Sequence, residues 1–237
     1  MDWACASSPA AWTAERVTAS VAHIEIARIA DVLADVPEDH VSWLSESEHA
    51  RFAGIRVDGR RAQYRAGHWL VRVLLARAFG GNPKQWRLLE RRSLPPSVHG
   101  HDAVKVSISH TKDWIAAAVA TVPIGIDLEQ RPRTLDPAIE ALLLNTGEAS
   151  GSLDADTMLQ RWVAKEAWIK RSTESALPAR LKRIQLLATT RGHADVRIDS
   201  CEAFHFGLAI APGQAIRRYC DVTLHPGTGF KVTDLET

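Results

Sequence analysis

Three groups of residues have types and spacings that could do chemistry. The first lies in Ile124-Gly125-Ile126-Asp127-Leu128-Glu129. Alternate side chains of a strand share a face, so Ile126 and Leu128 would enter a core while Asp127 and Glu129 point together to the other side. Two such carboxylates repel unless a cation stands between them. A hard cation such as Mg²⁺ suits the place, because it takes one or two carboxylates and completes its shell with substrate phosphates. A solvated edge-strand face would need no metal. Gly125 removes a side chain where a ligand or another backbone could come close. The second group is Trp162-Val163-Ala164-Lys165-Glu166-Ala167-Trp168-Ile169-Lys170. On a helix, Trp162, Glu166 and Lys170 share one face, with Lys165 about 100° around, at the rim of the same site. The plain alternative is a surface salt bridge worth only ~0.3–0.5 kcal/mol. The third group, Ser107-Ile108-Ser109-His110-Thr111, closes a strand with hydroxyls and an imidazole that could bind an anion or simply cap a turn.

The charge pattern bears on the same question. The chain has 237 residues, a mass of 26.1 kDa and a formal net charge of +1. Its charges are segregated. Arg51 to Arg92 holds eleven basic residues against Asp58 and Glu90, a balance of +9, whereas Pro123 to Gln160 carries −5. A basic stretch of this kind suits a polyanionic partner, whether nucleic acid, an acidic protein or a multiply phosphorylated small molecule, and equally suits a solvated helix face. Apolar residues make up 46% and charged residues 24%, which excludes disorder, collagen and coiled coil. No apolar run is long enough to span a membrane. The first residues show no basic and apolar leader. Cys5, Cys201 and Cys220 have no paired spacing, which argues against a disulfide framework or zinc site and points to the cytoplasm.

The elements that must position these groups follow from periodicity. Alternation predicts strands at His23–Ala30, Val104–Ser109, Trp114–Thr121 and Ile124–Glu129. Helices are predicted at Leu44–Phe52, where Ser45 and Glu48 have capping-box spacing, at Arg60–Phe79, at Pro137–Leu144 and at Asp156–Arg171. Ile29–Leu33 reads as leading into a loop, Ser93–Asp102 as loop, and the residues through Pro178 as linker. Four further strands (Ile184–Ala188, Ala194–Ile198, Phe204–Ala211, Tyr219–Leu224) have the spacing of an antiparallel sheet. The class is α+β, with two similar α/β halves, residues 1–122 and 123–237, packed as a pseudo-dimer around a cleft. Arg72 reads as a helix-surface charge.

In this order and at these separations, Ser109-His110-Thr111, Gly125-Ile-Asp127-Leu-Glu129 and Trp162-x-x-Lys165-Glu166-x-x-x-Lys170 resemble the motifs of the Sfp-type 4′-phosphopantetheinyl transferase family. The resemblance covers Arg51 to Lys170. It implies transfer of the phosphopantetheine arm of coenzyme A to a serine of an apo acyl or peptidyl carrier protein, with release of 3′,5′-ADP. It further implies that Asp127, Glu129 and Glu166 bind Mg²⁺, with Mn²⁺ as a substitute. Arg51, Arg61, Ser109, His110, Lys165 and Lys170 would contact the phosphates. Lys170 would also stabilise charge on, or protonate, the leaving 3′,5′-ADP, and Glu166 is a second candidate role-holder as base for the carrier serine. Tyr64 and Gly67 fit the R-x-x-[YF]-x-x-G motif of the first long helix. The family's G-[KR]-P, about sixteen residues before the Ser-His pair, is here Ser93-Leu94-Pro95, so the cation is missing and Arg92 is its nearest substitute. Within the same reaction class, the compact trimeric carrier-protein synthases have chains about half as long, so a monomeric two-halved enzyme is expected, without membrane or nucleic-acid partners. The contrasting class is a non-catalytic module binding carrier proteins or nucleic acid through residues 51–92.

Overall fold

The computed structural model describes residues 21–91, 94–144, 153–172 and 177–235. The predicted first strand is β1 (Ala22–Arg28), and it runs directly into α1 (Ile29–Asp35) rather than a loop. This short helix has no side-chain cap. Burial of Ile29 and Val32 in the core holds it, a tertiary effect that local sequence does not display. Then follow α2 (Glu46–Ala53) and α3 (Asp58–Phe79). The capping box of α2 is formed: the Glu48 amide donates to Ser45 Oγ at 3.3 Å and the Ser45 amide to Glu48 Oε2 at 2.7 Å.

Next come β2 (Leu88–Arg91) and β3 (Leu94–Val98), an antiparallel ribbon where loop was predicted. Pro95 and Pro96 obscured it, yet prolines are tolerated where a strand's N–H groups need no ladder partner. The chain continues with β4 (Lys105–His110), β5 (Trp114–Ala120), β6 (Gly125–Gln130), α4 (Pro137–Leu143), α5 (Ala155–Arg171) and α6 (Leu177–Arg183). The last of these begins at the end of the predicted linker, at Leu177, and runs on past Pro178 to the next strand. The strands β7 (Ile184–Thr189), β8 (Val196–Ser200), β9 (Phe204–Ala209), β10 (Ile216–Cys220) and β11 (His225–Asp234) complete it.

The architecture is α+β with mixed sheets. One sheet has the order β10-β1-β5-β4 and the other β6-β9-β8-β11-β7. The antiparallel sheet predicted for the final strands forms without its expected member near Tyr219. That strand, β10, instead pairs in parallel with β1, so a strand from beyond residue 123 completes the sheet of the first half.

The layers run helix, sheet, sheet, helix. Leu74 and Leu75 of α3 pack with Ile115, Ala117 and Val119 of β5. The alternate residues Ala116, Ala118 and Ala120 meet Ile126, Leu128, Phe204 and Phe206 of the second sheet. Val163, Ala164 and Ala167 of α5 cover that sheet's outer face with Val196 and Ile198. Thus β5 is buried on both faces, which is why its sequence does not alternate. Two glycines allow the helices their close seating. A Cβ at Gly67 would lie 2.9 Å from Ile108 Cγ2, and one at Gly125 would run into the backbone of Ala167 and Arg171. Of the two reasons a glycine suits position 125, the structure displays the second: another backbone lies against it.

Candidate active-site cleft

Strands β4 and β6 belong to different sheets, but the side chains of Ser107 and Ser109 stitch them together. Ser107 Oγ accepts from the Ile126 amide and Ser109 Oγ from the Leu128 amide, each at 3.1 Å. Ser109 Oγ donates in turn to Asp127 Oδ1 at 2.8 Å. The Ser109 hydroxyl is therefore committed to the seam between the sheets, not aimed at an anion, although it shapes the site through Asp127.

Asp127 is 3% exposed, which removes the solvated-edge alternative. Lys170, from the last turn of α5, donates to Asp127 Oδ1 at 2.7 Å and to Ser109 Oγ at 3.2 Å. Burial alone would lower the Lys170 pKa, but the carboxylates of Asp127 and Glu166 overcome that and raise it. The ammonium is thus firmly held. Asp127 Oδ2 is buried without a hydrogen-bond partner, an arrangement that costs energy unless a further positive group or donor arrives.

Glu166 lies one helical turn before Lys170 and is 6% exposed. Burial, followed by repulsion from Asp127 and Glu129 against attraction to Lys170, raises its pKa to about 7. The three predicted carboxylates are therefore near enough to influence one another. They are not arranged as a ready three-ligand cage: among the described residues, no group of three or more His, Cys, Asp or Glu is placed to hold a metal ion. Glu129 is turned aside, accepting from Arg133 and, at 3.1 Å, from Trp162 Nε1. The donor set nevertheless suits a hard cation, with carboxylate oxygens, one of them buried and unpaired, under mutual repulsion.

Of these groups Lys170 lines a cleft of about 850 Å³, and Asp127 lies behind it, joined through the Lys170 ammonium. The cleft walls come from α2, α3, the β2–β3 ribbon, β4 and the C-terminal end of α5, so both halves contribute. Arg51 and His110 line it. His110 Nε2 accepts from Arg60 Nη1 at 3.0 Å. Burial first, then Arg60 and Lys170, lower the His110 pKa to about 4, so the ring is neutral around pH 7 and serves by hydrogen bonding.

Other expectations are corrected. Lys165 does not reach the cleft. It is fully buried, and Nζ donates to the carbonyls of Leu143 at 2.5 Å and Leu181 at 3.2 Å, fastening α4 and α6 to α5. Arg61 turns the other way, donating to the carbonyls of Phe52 and Ile55 and lying 4.0 Å from the Phe52 ring centre. Its neighbour Arg60 takes the cleft position. Arg72 is no surface charge: it is fully buried, with Nη2 2.6 Å from Glu48 Oε2 and Nη1 2.8 Å from Oε1. Arg92 lies outside the described residues. The cleft residues that sequence reasoning missed are Arg60, Gln63, His68 and Glu90. For Arg60 a signal existed in the helical phase, since it falls four residues before Tyr64 and on its face.

The chain is similar to a known transferase. It is 27% identical over 140 residues to the 4′-phosphopantetheinyl transferase of Bacillus subtilis, a stretch that makes up 56% of this chain and 61% of that protein. No protein-family model matches the chain. The similarity agrees with the resemblance carried by the three motifs. Among the described residues, no helix is long and apolar enough to cross a membrane.

Proposed function

We propose that the protein transfers the 4′-phosphopantetheine arm of coenzyme A to a serine of an apo acyl or peptidyl carrier protein, with Mg²⁺ as cofactor and the two halves acting as a pseudo-dimer around the cleft. One observation carries this reading: Asp127, with an unpaired buried oxygen, and Glu166 both act on Lys170, which lines a cleft walled also by Arg51, Arg60 and His110. The similarity to the Bacillus subtilis enzyme supports it.

Phosphoryl-type transfer asks a protein chiefly to position groups and neutralise charge. Asp127 and Glu166 would hold Mg²⁺, joined by Glu129 once it releases Arg133. When bound, the metal would neutralise pyrophosphate charge and polarise the phosphoryl group under attack. Lys170 keeps its proton and faces the phosphates of the leaving 3′,5′-ADP. Arg51 and Arg60 add positive charge, and neutral His110 adds a hydrogen bond. The raised proton affinity of Glu166 belongs to the metal-free protein, and a bound cation would lower it, so Glu166 would take the carrier serine's proton only where it does not ligate the metal.

The decisive experiment mixes the protein with an apo carrier domain, coenzyme A and Mg²⁺ and follows carrier mass. Gain of phosphopantetheine is expected. No gain across a panel of fatty-acid, polyketide and peptide carriers would favour the non-catalytic binding module instead.

Arg51→Ala is expected to raise the apparent KM for coenzyme A about tenfold with kcat little changed, the mark of a contact made equally in ground and transition states. An unchanged KM removes Arg51 from the site. Glu166→Gln is expected to lower transfer at least about 100-fold and to stabilise the metal-free protein at alkaline pH. The sign follows from linkage. The folded pKa of Glu166 stands near 7, above the ordinary 4.5, so wild-type stability falls as pH rises between those values, and glutamine abolishes that fall. Melting curves at pH 5 and pH 8 without metal check it. Equal pH dependence in the two proteins would contradict a buried, repelled carboxylate.

A further inference from the structure

The two sheets are joined a second time, by residues that do not line the cleft. Arg218 of β10, in the first sheet, donates from Nη2 to Asp199 Oδ2 of β8, in the second, at 2.8 Å. The hairpins that carry the two seams have the same register. The β4–β5 hairpin closes on the pair His110–Ile115 and the β8–β9 hairpin on Ser200–His205. Asp199 therefore holds in β8 the place that Ser109 holds in β4, and Arg197 the place of Ser107. Asp199 is almost wholly buried, and its other oxygen accepts from Arg191 Nη2 at 2.6 Å. Arg191 Nη1 donates to the carbonyls of Ile198 at 2.7 Å and Gly227 at 3.2 Å. Both oxygens of the one carboxylate are thus engaged by two guanidiniums. Arg197 adds a third. It is half-buried, and its Nη2 is buried with no hydrogen-bond partner among the described residues. Burial first, then Arg191 and Arg218 against the attraction of Asp199, lowers its pKa.

Three guanidiniums here surround one carboxylate, an excess of two positive charges within the cluster. Like charges so packed repel, and a buried N–H without an acceptor costs free energy. An anion with several oxygens relieves both. The planar guanidinium fork fits phosphate oxygens, and a dianionic phosphate equals the excess charge. The Arg191 and Arg218 side chains are only 34% and 31% exposed. A recess of that kind admits a small ion or a single phosphate group and not the broad face of a macromolecule. We infer that Arg191, Arg197 and Arg218 form a second anion site, at the seam of β8 and β10, which takes one dianionic phosphate group and so fastens the two sheets. The site is independent of the coenzyme A reading, because none of the three arginines lines the cleft.

The test is calorimetric titration of the full chain with inorganic phosphate, at a pH where the ion is doubly charged, beside the same titration of Arg197→Gln and Arg51→Ala. Wild type is expected to bind phosphate with a dissociation constant of about 1 mM. Arg197→Gln should weaken that binding at least about tenfold through loss of charge-assisted hydrogen bonds. Arg51→Ala, which alters only the cleft, should keep it. Binding that vanishes in Arg51→Ala and survives Arg197→Gln belongs to the cleft and overturns the inference, as does absence of binding. Melting curves provide a second reading. Without phosphate, Arg197→Gln is expected to melt no lower than wild type, since it removes a repelled guanidinium. Added phosphate should then raise the wild-type midpoint by several degrees more than that of the variant. An equal rise in both is the general effect of an excluded salt and also overturns the inference. So does a phosphate-free variant that melts well below wild type, which would give Arg197 a partner within the protein. Repeating the titration with O-phosphoserine separates two sources of the same group. Affinity equal to that for phosphate assigns the site to a phosphomonoester, and affinity at least about tenfold weaker assigns it to the free ion; either result upholds the site.

Discussion

Asp127→Asn is expected to lower phosphopantetheine transfer about a thousandfold, some 4 kcal/mol of transition-state stabilisation, with the fold retained. The substitution keeps shape and one acceptor oxygen, so the 2.8 Å bond from Ser109 and the β4–β6 seam can persist. It removes the charge. Lys170 then loses the closest of the carboxylates that raise its pKa, and the buried unpaired oxygen, proposed for the metal, is gone or becomes an amide. Each of these losses falls on charge stabilisation rather than on packing. Single-turnover mass measurement on an apo carrier, beside circular dichroism, checks the result. Activity within tenfold of wild type would remove Asp127 from the proposed metal site.

The second large effect lies beneath the cleft. Glu48→Gln is expected to destabilise the protein by about 3–5 kcal/mol, because it strips the countercharge from a guanidinium with no access to water. Arg72 and Glu48 are both fully buried, joined by two hydrogen bonds. Glutamine at this position can still cap the Ser45 amide, so the capping box survives and the loss reports the ion pair. The pH dependence has a definite sign. Burial by itself would raise the Glu48 pKa, but hydrogen bonds from His68 and Arg72 overcome it and hold the value near 2. A depressed folded pKa gives stability that is present above the unfolded value of 4.5 and is lost as pH falls toward 2. Urea denaturation from pH 7 to pH 3 should therefore show wild type converging on Glu48→Gln with acidification. A loss under 1 kcal/mol at pH 7 would mean that water reaches Arg72. Because His68 links this pair to Glu90, the same substitution should also loosen the cleft wall.

Much of the chain can be read locally. The 3.6-residue recurrence fixes α3 and α5, alternation fixes β4 and β6, and Ser45 with Glu48 announces α2. Elements held by distant partners escape such reading. The helix α1 depends on core contacts of Ile29 and Val32, β3 hides behind two prolines, and β10 leaves its chain neighbours to pair in parallel with β1.

The motifs of this protein name Asp127, Glu166 and Lys170 and the strand and helix that carry them, because spacing along a regular element dictates which side chains share its face. Which face meets the cleft is a separate matter. Lys165 and Lys170 belong to one helix, as Arg60 and Arg61 do, and only the packing of α5 on β6 and of α3 on β4 turned one of each pair toward the cleft and the other to protein carbonyls. Arg72 had to be seen in space, since its countercharge comes from another helix, 24 residues earlier. Local sequence sets the phase of a helix or strand, and the docking of elements remote in the chain sets its absolute rotation, where burial decides which charge stays wet, which is paired and which is left to meet a ligand.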